Sequence, residues 1–388
     1  MNFSESSQRE RWLLTAEDLS KRRQMNMDKA VAAIKASREQ TEASASQGPD
    51  SQPSKKLRTI SLDDEAKLSR FYQSKMQKLC KELTRAFGFK PKVQGTALTF
   101  FKRFYLGCSA LDHDPKNIML TCIYLACKVE ESYLSAEEFC RMIGQDSSVV
   151  LQNELAVLQG VGFDLVVYNP YHPLDGFLQE LEAQAAESSL PDLQQCNAAL
   201  LSKIKASALA AIDALLMTDA PLLHPPGLVA TAALRSACKG KLPFDGFFKV
   251  LAKRSSSNLP DDQLPHRMAK MAMSLAALDE LGRQGMERVP DDQVKKIDKR
   301  LKACHNLLLD PDSQAYKDAA AAKASREAER RRTKLADRRA ESELASAHLL
   351  GSSSAAASRQ LNGKESAAAE GPPEQTPEAH AIKRQKLA

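Results

Sequence analysis

Residues 111–128 and 222–239 carry the same plan twice, 111 positions apart, and this repeat constrains the chain more than any other feature. LDHDPKNIMLTCIYLACK aligns with LLHPPGLVATAALRSACK: Leu111 with Leu222, His113 with His224, Pro115 with Pro226, then Ala126-Cys127-Lys128 with Ala237-Cys238-Lys239. A proline opens each segment, where its missing N–H has no helical partner to lose. An almost uncharged run of small and branched residues follows, and a lysine ends it beside the negative end of the helix dipole. A helix that is apolar on nearly every side has to be surrounded by other helices. Two of them predict two all-helical bundles in tandem, each wrapped around a central helix.

The 388 residues suffice for two such domains plus tails. With aromatics at only 5%, the cores must be built from Ala, Leu, Val and Met. The net charge of +6 is small for the length, and its excess lies in the segment after residue 318, so it does not argue for nucleic acid on the bundles. The eight cysteines include no C-x-x-C pair and most fall in apolar helical stretches. That usage fits a reducing compartment and argues against a disulfide framework or a zinc ribbon. No long apolar run or signal-peptide core is present, so a soluble, intracellular protein is expected.

Periodicity places helices at 8–36, 62–87, 93–107, 115–130, 135–143 and 148–161, then at 174–185, 193–217, 226–239, 244–252, 262–281 and 291–309. Thr15 is a predicted N-cap, with Leu14 and Leu19 as its hydrophobic staple. Asn169-Pro170-Tyr171-His172-Pro173 reads as a stiff connector between the bundles. The stretch 319–347, rich in Ala, Arg and Glu with no apolar stripe, is either a solvated single helix or disordered, and 351–388 is disordered by composition.

Several stretches resemble the cyclin-box family, which has five helices around a central one, twice. FFKRFYL at 100–106 resembles the second-helix motif, and LACKVEE at 125–131 the third-helix motif, an Ala-x-Lys followed by an acidic pair. Asn153-Glu154-Leu155 falls where the family has its characteristic fifth-helix Glu. The N-terminal SSQRERW, KRFYL where cell-cycle members have Asp-Arg-Phe-Leu, and YNPYHPLDGFL between the boxes resemble the cyclin H branch. The implied architecture is all-α: an N-terminal helical segment at 1–36, a flexible linker at 37–60, cyclin boxes at 61–167 and 168–285, a C-terminal helix at 290–310, and a charged, disordered tail at 311–388.

The resemblance implies a regulatory subunit that binds and activates a cyclin-dependent kinase. The kinase in question is the one that phosphorylates other such kinases and, within transcription factor IIH, the RNA polymerase II C-terminal domain. A heterodimer with the catalytic subunit is expected, in the nucleus, with an assembly factor and the transcription factor IIH core as further partners. Membrane association and direct nucleic-acid binding are not expected. The alternatives are another transcriptional cyclin, or a cyclin-fold basal transcription factor that binds DNA; the latter would need basic bundle faces and usually a zinc ribbon.

Kinase-binding residues implied by the resemblance are Lys128, Glu154, Glu131, Lys102 and Trp12. The residues themselves support Glu154: with Val150, Val157 and Val161 it falls on one apolar stripe of its helix, so it needs a cation, and Lys128 is the candidate. Lys102 has a weaker case. A Lys-Arg pair normally lies on a solvated helix face, and the Asp of cell-cycle members is absent here, so no role of that Asp transfers. Trp12, the single tryptophan, is expected to be a docking anchor, on a partner or on the chain's own core. No catalytic constellation stands out: the histidines are scattered, His305 beside Cys304 falls short of a metal site, and Gly160-x-Gly162 follows no strand. No enzyme activity and no cofactor are expected.

Overall fold

The computed structural model describes residues 2–45, 59–186, 197–242, 244, 246–249, 264–304 and 314–360. A short 3-10 turn (Phe3–Glu5) and α1 (Ser7–Trp12) lead into the long α2 (Ala16–Ala45). The first bundle is α3 (Leu62–Phe87), α4 (Pro91–Phe104), α5 (Pro115–Val129), α6 (Ala136–Met142) and α7 (Ser148–Gly160). The second contains α8 (Tyr171–Ala186), α9 (Ala198–Leu216), the single turn α10 (Ala220–Leu223), α11 (Pro226–Cys238) and α12 (Leu264–Gly285). Then come α13 (Asp291–Cys304) and α14 (Gln314–Gln360). The expected 244–252 helix is helical at 244 and 246–249, with its end outside the described residues.

The repeat marks the two central helices. In α5 every residue from Ile118 to Cys127 is buried, and α3, α4 and α7 pack around it. In α11 the run Val229–Leu234 is buried, with α8, α9 and α12 around it. Local signals set the helix starts. Ser61 and Asp64 form a capping box at the head of α3, and the Asp114 side chain accepts from Lys116 N at 3.0 Å ahead of Pro115. Thr15 Oγ1 accepts from Asp18 N at 3.1 Å, and Leu14 and Leu19 share a small apolar cluster.

The bundles do not have separate cores. One apolar cluster runs from Met76 and Phe100 in the first through Leu174 and Ile212 to Leu278 in the second. A polar knot ties the junction: Gln94 Nε2 donates to Asp213 Oδ1 at 2.8 Å, Tyr171 Oη donates to the same oxygen at 3.1 Å, and Lys81 pairs with Asp213 Oδ2 at 3.2 Å. A second apolar cluster joins Met27, Ala30 and Ile34 of α2 to Leu68 of α3 and to Val294, Ile297 and Leu301 of α13.

Three expectations need correction. The linker at 37–60 begins late, because α2 continues to Ala45, and Ile60 is buried; residues 46–58 lie outside the described residues. The 169–173 connector is helical from Tyr171 onward. Pro173 sits in that helix's first turn, where proline displaces no intrahelical bond. The tail at 311–388 is not disordered throughout: Gln314–Gln360 is one helix. Ala, Arg and Glu are strong helix formers, and Arg331 pairs with Glu327 one turn away at 2.8 Å. Residues 361–388 lie outside the described residues.

Candidate functional site: the α5–α7 face

The central helix, buried from Ile118 to Cys127, surfaces again at its C-terminal end. Cys127 is buried and Lys128 is half exposed. From there Lys128 Nζ reaches Glu154 on α7 in a close ion pair and lies 5.3 Å from the centre of the Tyr124 ring. Along α7 and its C-cap the three valines of the stripe, Val150, Val157 and Val161, are fully buried, whereas Glu154 sits at the stripe's edge with 20% of its side chain exposed. The pair therefore closes the rim of the core. Leu151 (48% exposed) and Leu155 (58%) stand one helical turn apart on the outer side of α7, and Tyr133, in the turn after α5, is 84% exposed. The two leucines beside Glu154 on α7 and the tyrosine after α5 leave apolar area without a cover within the described chain.

The acidic pair after Lys128 divides its work. Glu130 points inward, pairing with Lys92 Nζ at 2.8 Å and accepting from Thr96 Oγ1, so it binds α4 to α5. Thr96 in turn accepts from Asn169 Nδ2 at 2.9 Å, which carries the network to the inter-box segment. Glu131 is exposed and holds φ at 55°, a left-handed conformation that glycine usually fills. It lets Ser132 N return to Cys127 O at 2.8 Å and ends the helix. Glu130 is the residue that sequence reasoning missed; an acidic pair offers no sign of which member turns inward.

Lys102 and Arg103 are not on a solvated face. Lys102 is 6% exposed and Arg103 1%. Lys102 Nζ donates to Gln73 Oε1 at 2.5 Å, and burial pushes its pKa down to about 7. As folded, Lys102 offers a partner almost no surface. The pattern of α4 alone cannot disclose this, because α2 and the second bundle supply the cover.

Trp12 docks on its own chain. Its Nε1 donates to Asp164 Oδ2 at 2.8 Å, Arg11 pairs with Asp164 Oδ1 at 3.0 Å, and the Arg103 guanidinium lies 5.0 Å from the Trp12 ring centre. Burial lowers Arg103 to about 10, against the opposing pull of Asp164, which leaves it cationic at neutral pH. Arg103 Nη1 also donates to the Asp164 carbonyl at 3.0 Å. Nearby, the Gln8 amide bridges both backbone groups of Tyr168, and Leu14 N donates to Leu222 O at 2.8 Å. The N-terminal segment is thus a strap across both bundles, set by Trp12 and remote in sequence from the surface at Lys128. No group of three or more His, Cys, Asp or Glu among the described residues is placed to hold a metal.

Two domain families match in tandem: "Cyclin, N-terminal domain" over residues 49–166 and "Cyclin C-terminal domain" over residues 169–309. Cyclin-H1-1 of Arabidopsis thaliana is 36% identical over 318 residues, covering 78% of this chain and 88% of that protein. Cyclin-H of Xenopus laevis is 27% identical over 316 residues, covering 78% and 87%. Among solved structures, a chain of the Chaetomium thermophilum CAK complex bound to ATP-gamma-S superposes with a TM-score of 0.64 at 23% identity, covering 84% of this chain and 94% of that one. A chain of the yeast TFIIK (Kin28/Ccl1/Tfb3) complex gives 0.54 at 22%, covering 72% and all of that chain. At these identities the two structures bear on the fold alone.

Proposed function

Because this chain belongs to the cyclin family, we propose that it is a cyclin H-type regulatory subunit, which binds and activates a cyclin-dependent kinase of the kinase-activating class. Its catalytic partner phosphorylates other cyclin-dependent kinases and, with the transcription factor IIH core, the RNA polymerase II C-terminal domain. The place of work is the nucleus, and the chain contributes no catalytic group of its own. The observation that carries this reading is the α5–α7 face, where Leu151 and Leu155 stand exposed on the helix that holds Glu154 against Lys128.

The mechanism is the biasing of a two-state element. A protein kinase's regulatory helix has an inward position in which its Glu pairs with the ATP-site Lys, and an outward, inactive one. A rigid surface that binds only the inward position stabilises it by the difference in affinity. The buried middle of α5, Ile118–Cys127, provides that rigidity, and the exposed leucines supply apolar area to cover. A stable regulatory complex of this kind buries about 2,000 Å² or more.

The test is reconstitution with a kinase catalytic subunit of the CAK class. Leu155→Asp, a change at an exposed position, should leave the chain folded, weaken complex formation at least about tenfold and reduce phosphorylation of a C-terminal-domain peptide in parallel. Undiminished binding by folded Leu155→Asp would place the kinase on another face.

A further inference from the structure

Lys102 lines a cavity of about 470 Å³ bounded by α2, α3, α4, the turn into α10, and α12. Leu19, Phe101, Met217 and Leu281 give it apolar walls. Its lining carries three cations, Arg23, Arg70 and Lys102, and three carboxylates, Asp63, Glu65 and Asp219, and their contacts are shared unevenly. Arg23 and Asp219 close on each other in a bidentate pair at 2.8 and 2.7 Å. Glu65 already accepts from Ser109 Oγ at 2.7 Å and Ala110 N at 2.6 Å; burial holds its pKa above the ordinary value despite those bonds. Asp63 is exposed and pairs with Lys67. Arg70 and Lys102 hydrogen-bond to none of these carboxylates, although both feel the charge of Asp219. Arg70 pairs with the exposed Glu287 at 3.7 Å. Lys102 Nζ has three N–H donors and one acceptor, Gln73 Oε1.

A desolvated ammonium with spare donors, a second cation at the rim and aliphatic walls make a site for an amphiphilic anion. We propose that this cavity binds a small ligand that carries a carboxylate or phosphate on a compact apolar body, with Lys102 as its buried counter-ion and Arg70 at the mouth. The ligand would bridge the N-terminal helix and both bundles, since all three contribute walls. Binding also has a proton signature. With Lys102 at about 7 in the free chain, an anion beside it favours the charged form, and at pH 7 the complex should take up about half a proton.

The experiment is titration calorimetry on the full chain at pH 7, with octanoate and inorganic phosphate as separate probes, each in two buffers of different ionisation heat. At least one probe should saturate with Kd of about 1 mM or tighter, with a buffer-dependent heat that reports proton uptake. Saturation by octanoate alone assigns a carboxylate on an apolar body; saturation by phosphate alone assigns a phosphoryl group. Lys102→Met should weaken binding about tenfold or more. Lys102→Arg should still bind but lose the proton uptake, because arginine stays charged. Saturation by neither probe, or wild-type affinity in folded Lys102→Met, overturns the proposal. Should Lys102→Met not fold, Lys102→Arg decides alone: unchanged proton uptake there would mean that Lys102 is not the counter-ion.

Discussion

Gly160 of α7 lies flat against the ring of Phe104 on α4: a Cβ built on the glycine would stand 2.4 Å from Phe104 Cδ2. Phe104 is fully buried, so the ring has no free volume to retreat into. Gly160→Ala must therefore push α7 away from α4. The expected cost is about 1–3 kcal/mol, as for other overpacked cores, seen as a lower midpoint in urea denaturation. A neutral substitution would show that the helices separate easily.

Asp164 holds Trp12 through its Oδ2 and Arg11 through its Oδ1. Asp164→Ala removes both acceptors and leaves a half-buried indole N–H without its charged partner. Trp12 is the chain's single tryptophan, so its emission reports the strap directly. A red shift and a loss of about 1.5–3 kcal/mol are expected. An unshifted spectrum would mean that apolar contact alone fixes the segment.

Lys102 makes stability depend on pH in an unusual direction. Its folded pKa of about 7 lies below the ordinary lysine value of 10.5, so between those limits the unfolded chain holds a proton that the folded chain has released. Stability therefore rises with pH from about 7 upward, by at most about 1.4 kcal/mol per unit. Buried cysteines such as Cys122, whose pKa burial raises, oppose this only above about 8.5, where unfolded thiols ionise. The difference between wild type and Lys102→Met in denaturant midpoint, measured from pH 7 to 8.5, should carry the slope; parallel curves would refute it.

The Lys128–Glu154 pair, half and one-fifth exposed, should contribute less than about 1 kcal/mol to the free chain. Covered by a partner it loses solvent screening, and each single alanine variant then leaves a buried charge alone. A double-mutant cycle should give small coupling in stability and a larger, non-additive coupling in kinase affinity. Additive losses in affinity would mean that the two side chains act separately there.

Truncation after Asp310 removes α14 and should leave kinase activation intact, since α14 lies outside both cyclin domain matches. Truncation after Pro290 also removes Val294, Ile297 and Leu301 from the cluster on α2 and α3. At about 1.5–3 kcal/mol for each buried side chain, that shorter chain should melt far earlier. Thermal melts and a kinase assay on both chains test the pair of expectations; a stable, active shorter chain would make α13 dispensable.

Much of this arrangement is legible in the sequence wherever one helix's own pattern decides the outcome. α3 runs from Leu62 to Phe87, as its periodicity predicts, and the two prolines of the repeat mark the heads of α5 and α11. The valine stripe interrupted by Glu154 points to a cation, and Lys128 is beside it. What periodicity cannot convey is cover supplied from far along the chain. Lys102 is polar in sequence and interior in space because α2 and the Asp219 turn close over it. The Gln94–Tyr171–Asp213 knot likewise joins three residues with no local signature, and the choice between Glu130 and Glu131 turns on one backbone angle.

The clasp of α2 and α13 over α3 has a consequence for synthesis. Arg38 Nη2 donates to Ala303 O at 3.3 Å, and Arg300 pairs with Asp64 at 2.8 Å, so partners that leave the ribosome early wait for others made more than two hundred residues later. A nascent chain that ends near residue 290 would have both bundles but would still show water the apolar flank of α2 and Leu68. During that interval the emerging protein is a substrate for holdase chaperones, and any pause in translation before α13 lengthens its exposure to aggregation.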